Sequence, residues 1–174
     1  MKLLRRTLIT TACAFAIGAP ALAQAQAIKI AGLYELSGAG ATSGTNFKDG
    51  VALAVKEINA AGGIMGRQIE HSVSDTQTNP GVAKGLATKA IDDNAFAIFG
   101  PVFTGSILVS MAESRRAEVP NFTGGEGAAI TKQGNPYIFR TSFTQDTAMP
   151  KVARYIANGL KAKNVAVMYV NNDF

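Results

Sequence analysis

Short apolar runs alternate along this chain with longer stretches whose apolar residues recur at helical spacing. Residues 95–99, Ala-Phe-Ala-Ile-Phe, contain no polar position, the pattern of a strand buried on both faces, and Gly100-Pro101 ends the run. Immediately beyond, Ile107, Leu108 and Met111 share one helical face while Glu113, Arg115 and Arg116 face water, which predicts a helix capped by Thr104 or Ser106. The same alternation predicts strands at residues 28–33, 68–74, 119–123 and 165–170, with an extended segment at 137–142. Helices are predicted at 45–61, where Phe47, Val51, Ala54, Val55 and Ile58 form one face before Gly62-Gly63, and at 82–94 and 147–162, with a helical turn at 128–132. The 68–74 strand alternates Ile69, His71 and Val73 against Glu70, Ser72 and Ser74, so it is half-exposed and belongs at a sheet edge.

Strand and helix alternate throughout, so the predicted fold class is α/β, a parallel sheet with helices on both faces. Right-handed crossovers require those helices to divide between the faces. With the edge-like second strand outside the first and the third on its other side, the order reverses between strands one and three. Ligands bind at such a switch, outside the carboxyl ends of the strands. The loops at residues 34–44, 100–106 and 124–127 meet there.

Charge and targeting alter this picture at the N-terminus. Lys2, Arg5 and Arg6 precede an apolar run at 8–17 that ends in small residues, so residues 1–23 read as a signal peptide cleaved after Ala21-Leu22-Ala23, with Ala25 and Ala27 as alternatives in the same small-x-small pattern. Three of the 17 basic residues lie in this leader, which leaves 14 against 12 acidic ones. The mature chain is therefore nearly neutral, and without a basic run interleaved with aromatics no nucleic-acid partner is expected. The single cysteine, Cys13, lies in the leader, and His71 is the single histidine, so zinc and thiolate chemistry have no ligand set and no cofactor is expected. His71 reads as a strand residue with a local hydrogen bond.

Catalytic motifs are equally scarce. Gly38-Ala39-Gly40-Ala41-Thr42-Ser43-Gly44 follows a strand, but its third glycine comes one residue late for the dinucleotide fingerprint and four residues separate it from the strand. No Walker lysine and no G-x-S-x-G elbow occur. What remains is recognition by backbone N–H groups, hydroxyls and the carboxylate of Glu126. At the start of the helix after Gly100-Pro101, unpaired N–H groups, the positive end of the helix dipole and the Thr104 hydroxyl converge on a site fit for a small carboxylate.

Several segments together resemble the N-terminal part of the type I periplasmic binding proteins of the leucine/isoleucine/valine-binding family. They are Leu36-Ser37-Gly38, the run Ile58-Asn59-Ala60-Ala61-Gly62-Gly63-Ile64-Met65-Gly66-Arg67, Asp75, Gly100-Pro101 with Thr104, and Phe139-Arg140-Thr141. The resemblance implies a periplasmic protein that captures a small carboxylate-bearing solute, a branched-chain or related amino acid, for the permease of an ABC importer. It implies no catalysis. It also implies that Thr104 and the backbone of Gly125 and Gly127 hold the ligand's carboxylate and ammonium. Two departures stand out: Gly127 offers only backbone where a Ser or Thr side chain is usual, and Ser43 stands where an aromatic is often found. An amine-free ligand such as an aromatic acid, with Phe103 as a stacking wall, is therefore an alternative. A nucleotide-dependent enzyme of Rossmann type and a receptor's ligand-sensing domain are readings of other classes. Family members are about twice as long, so the chain reads as truncated: residues 24–143 as an incomplete first lobe, and 144–174 as the start of a second.

Overall fold

The computed structural model describes residues 26–169, so the expected signal peptide at 1–23 lies outside the described residues. The apolar runs and periodic stretches become β1 (Ile28–Tyr34), α1 (Ala41–Ala60), β2 (Ile69–Asp75), α2 (Pro80–Asp92), β3 (Ala97–Phe99), α3 (Thr104–Ala117), β4 (Asn121–Thr123), α4 (Ala129–Lys132), β5 (Ile138–Arg140) and α5 (Gln145–Arg154). The strands form one sheet in the order β2-β1-β3-β4-β5, and each neighbouring pair runs parallel. β2 is the edge strand its alternating pattern predicts, and the order reverses at β1 and β3.

Local chemistry sets the ends of these elements. Asn79 caps α2, its side-chain oxygen accepting from the N–H of Gly81 and of Val82, with Pro80 pre-set in the first turn. Asn59 ties the end of α1 to the start of β2, donating to the Ile69 carbonyl and accepting from the Ile69 N–H. Glu118, at φ 59°, ends α3 in the left-handed conformation, and Pro120 lacks an N–H, so β4 begins at Asn121 rather than at residue 119. α1 starts four residues before the predicted position, at Ala41.

The two sheet faces are covered unequally. Ala31 and Leu33 of β1 pack with Ile98, with Ala87 and Ala90 of α2, and with Ala95. Beside them Ile107 and Met111 of α3 join Ile130 and Ile138. On the opposite face α1 covers Ile28 and Ile30, but Phe99, Phe122 and Phe139 stack across β3, β4 and β5 with ring centroids 5.1 and 5.0 Å apart and no helix of the described residues over them. Between the Phe99 and Phe122 rings and the Phe47, Val51, Val55 and Ile58 face of α1 lies an apolar cavity of 710 Å³.

Two predicted elements differ from the structure. The helix predicted at 147–162 is α5 followed by a single π turn, Tyr155–Gly159. Pro150 stands inside α5 and withholds one N–H from its ladder, and no residue of α5 is buried. The strand predicted at 165–170 is absent over residues 165–169, which are exposed, Met168 to 98%, and Val170 lies outside the described residues. A parallel strand needs a hydrogen-bonding neighbour and cover on its apolar faces, and no described segment supplies either.

Candidate functional site

At the switch point the chain leaves β1 through Glu35, which has no exposed surface. Its Oε2 accepts from the Val102 N–H at 3.0 Å and its Oε1 from the Phe103 N–H at 3.2 Å, binding the end of β1 to the segment that opens α3. Burial pushes this carboxyl above the usual carboxylate range, and the two amide bonds only partly oppose the shift. The turn of α1 above it can approach because residue 44 is glycine: a Cβ there would lie 2.1 Å from the Glu35 carbonyl oxygen.

Asp75, at the end of β2, holds the same loop from its other side. Its carboxylate accepts from the N–H of Leu36 at 2.9 Å and of Ser37 at 3.2 Å, from the Ser37 hydroxyl at 2.6 Å, and from the Gln77 N–H at 2.8 Å. The Ser37 hydroxyl, and after it these amides, hold the Asp75 pKa below its ordinary value. Thr78 completes the clamp, donating to the Ser37 carbonyl at 2.7 Å and accepting from the Gly40 N–H at 3.0 Å.

The predicted side-chain cap of α3 is not formed. Phe103 is the N-cap residue, in extended conformation and without a side-chain cap bond, because the helix starts at Thr104 itself. Thr104 is 2% exposed, and its Oγ1 has no hydrogen-bond partner. Gly127 lies directly against it: a Cβ at 127 would stand 2.8 Å from Thr104 Oγ1. The loop that carries Gly127 is held from below. Arg140 donates to the carbonyls of Gly125 at 3.0 Å and Gly127 at 2.9 Å, and to Thr131 Oγ1 at 2.9 Å. The Ser142 hydroxyl donates to the Gly125 carbonyl at 2.9 Å. Thr123 closes the gap between the loops, donating to the Pro101 carbonyl at 2.7 Å.

Of the residues singled out from the sequence, the fold thus brings Thr104, Gly125 and Gly127 together. Phe103 is half-buried with its ring edge against Gly40, where a Cβ would meet Cε2 at 2.9 Å. Ser43 is exposed on the first turn of α1, and Glu126 is half-buried, its backbone carbonyl accepting from the Gln145 N–H at 3.2 Å. Among the described residues no hydrogen bond joins either side chain to Thr104. His71 hydrogen-bonds the Tyr34 hydroxyl of the neighbouring strand at 2.9 Å; burial lowers the pKa of the ring, favouring its neutral form. Glu35 and Arg140 are the organising side chains that sequence reasoning did not assign to the site. A carboxylate directly after an apolar strand, inside a loop of small residues, was the available signal for Glu35. No group of three or more His, Cys, Asp or Glu fit to hold a metal occurs among the described residues.

This arrangement of parallel strands and glycine loops has many counterparts among known proteins, and a family model described as periplasmic binding protein matches residues 27–174. The chain belongs to the periplasmic binding protein family. Over 171 residues it is 31% identical to an amino acid binding protein of Pseudomonas aeruginosa, covering 97% of this chain and 45% of that protein. Among solved structures it is similar to the branched-chain amino acid transporter substrate-binding protein LivJ of Streptococcus pneumoniae in complex with isoleucine. That likeness has a TM-score of 0.75 and 33% identity, over 79% of this chain and 40% of the other. It is also similar to a solute-binding protein of an ABC transporter from Rhodopseudomonas palustris in complex with 4-hydroxybenzoate. There the TM-score is 0.69 and the identity 30%, over 80% of this chain and 38% of the other. The chain thus spans about half the length of the family relatives it matches.

Proposed function

We propose that this chain is the solute-binding component of an ABC importer, carried to the periplasm by the leader at residues 1–23 and delivering a small carboxylate-bearing ligand to an inner-membrane permease. A branched-chain or related amino acid is the first ligand class, and the protein binds without turnover. The observation that carries the reading is the Thr104 hydroxyl: buried, without a partner, at the start of a helix and against Gly127 at the switch point. A buried hydroxyl left unpaired destabilises the ligand-free fold, so its presence here makes sense if a ligand oxygen completes it. Residues 24–143 make the first wall of the cleft, with the backbone of Gly125 and Gly127 beside Thr104 and with Phe103, Ser43 and Glu126 around it. Residues 144–174 begin a second lobe.

A second reading, an aromatic or other amine-free acid, draws support from the carbonyls of Gly125 and Gly127. Arg140 already occupies one acceptor direction of each, which weakens the case for an ammonium partner there. Ser43, in place of an aromatic, and the relative that holds 4-hydroxybenzoate point the same way. Calorimetry on the intact protein with leucine, isoleucine and 4-hydroxybenzoate separates the two. In either case Thr104→Val, which exchanges the hydroxyl for a methyl, should weaken binding about 10- to 100-fold, the worth of a charge-assisted hydrogen bond of ~1.5–3 kcal/mol. Unchanged affinity removes Thr104 from the site.

A further inference from the structure

Glu35 is a fully buried carboxylate with no ion-pair partner among the described residues, and the charge that acts on it, Asp75, has the same sign. An isolated buried anion is strongly disfavoured, so what keeps it there must be the groups that face it. These are the Val102 and Phe103 amides, one to each oxygen, the backbone amide of Glu35 itself, and the positive end of the α3 dipole just beyond them. Two N–H donors on two different oxygens suit the ionised group, because protonation would turn one acceptor into a donor facing a donor. The side chain is also built in: the loop turns over it through Gly40, where a Cβ would stand 2.8 Å from Glu35 Cβ, and α1 closes behind it at Gly44. Glu35 therefore anchors the two residues that lead into α3, next to the positive end of its dipole.

We propose that Glu35 is the built-in anion of the cleft, a positioning residue that fixes the start of α3 and denies the Val102 and Phe103 amides to the ligand. A ligand anion is then confined to the Thr104 hydroxyl, the first-turn amides of α3 beyond Phe103 and the N–H side of the 124–127 loop. The confinement clause rests on the ligand reading above; the role of Glu35 at α3 does not.

The test is thermal unfolding of the intact protein without organic ligand, in sodium formate against sodium chloride at equal ionic strength. Glu35→Ala should melt several degrees below the parent protein and recover part of the loss in formate, saturably and by more than formate stabilises the parent, with no such difference in chloride. An Ala variant as stable as the parent, or one that formate stabilises no more than it stabilises the parent, overturns the proposal. If Glu35→Ala does not fold, Glu35→Gln decides the matter by hydrogen exchange. Its amide group turns a donor towards one of the two N–H groups, so the Val102 and Phe103 amides should exchange faster by about 10-fold or more. Protection equal to that of the parent overturns the proposal. Because formate rescue needs no ligand, it survives if Thr104→Val leaves ligand affinity untouched, and that result would sink the ligand reading alone.

Discussion

Two glycines of the same helix provide the sharpest test of how the cleft is assembled. Gly44 and Gly50 both lie in α1, and on propensity alone either should become more stable as alanine, by ~1 kcal/mol in a helix interior. Their surroundings differ. An added Cβ at Gly50 meets nothing within 4 Å, whereas at Gly44 it falls 2.1 Å from the carbonyl oxygen, 2.6 Å from the nitrogen and 2.7 Å from the carbonyl carbon of Glu35. Those atoms are backbone and cannot rotate away, so helix and strand end must separate by more than 1 Å to reach ordinary contact at 3.4 Å. Overpacking of this kind costs ~1–3 kcal/mol, and displacing Glu35 also lengthens its charged bonds to Val102 and Phe103, worth ~1.5–3 kcal/mol each when lost. After the propensity gain, Gly44→Ala should destabilise by about 2–4 kcal/mol, while Gly50→Ala should stabilise by about 0.5–1 kcal/mol. Urea unfolding of both variants, with the slope unchanged and the midpoint moving in opposite directions, is the readout. A Gly44→Ala protein as stable as its parent would refute the close packing of α1 on Glu35, and with it the geometry of the first loop.

Thr104→Val should raise the stability of the ligand-free protein by about 1 kcal/mol while weakening ligand binding, since it removes an unpaired buried hydroxyl; a loss of stability would mean that the hydroxyl has a partner in solution. The two loop carboxylates should give stability opposite slopes with pH. Glu35, raised chiefly by burial, binds its proton more tightly folded than unfolded, so stability falls as pH rises from the ordinary glutamate value of about 4.3 towards its raised one. Asp75, lowered chiefly by the Ser37 hydroxyl, contributes stability that is lost as pH falls from the ordinary aspartate value of about 3.9 through its lowered one. Unfolding free energies against pH should show the first slope disappear in Glu35→Gln and the second in Asp75→Asn; a parental slope above pH 4.3 in Glu35→Gln contradicts the burial of that group. In a chain of residues 24–174, trypsin should cut first at Lys161 and Lys163, in an exposed segment without strand or α-helix, leaving residues 28–123 intact. Mass spectrometry of the early fragments checks this, and initial cleavage inside α2 or α3 would contradict it.

The fold was legible where it depends on local pattern. The apolar run at residues 95–99 signalled a strand, found at Ala97–Phe99, though Phe96 is exposed and the Phe99 face has no described helix over it; the alternation of Ile69, His71 and Val73 signalled an edge, because the side-chain periods of 2.0 and 3.6 are properties of the backbone and not of its surroundings. From those signals and the handedness of crossovers the parallel sheet, the reversal at β1 and β3 and the three loops over the switch point all follow. The same local reasoning placed a strand at residues 165–170, and there it failed over the described residues, since a strand exists only with a partner; the helix expected at 147–162 does run past Pro150 to Arg154, but its last turn is π. The inner workings of the site depended on distance along the chain. Glu35 meets Val102 across 67 residues and Arg140 reaches Gly125 across 15, pairings with no periodicity to announce them. Thr104 was recognisable as a hydroxyl at a helix start, but its burial against Gly127 without a partner follows only from how the loops after β3 and β4 close on each other. Periodicity records which face of an element is apolar; which polar group meets which is decided by tertiary packing, which brings distant loops within hydrogen-bonding range.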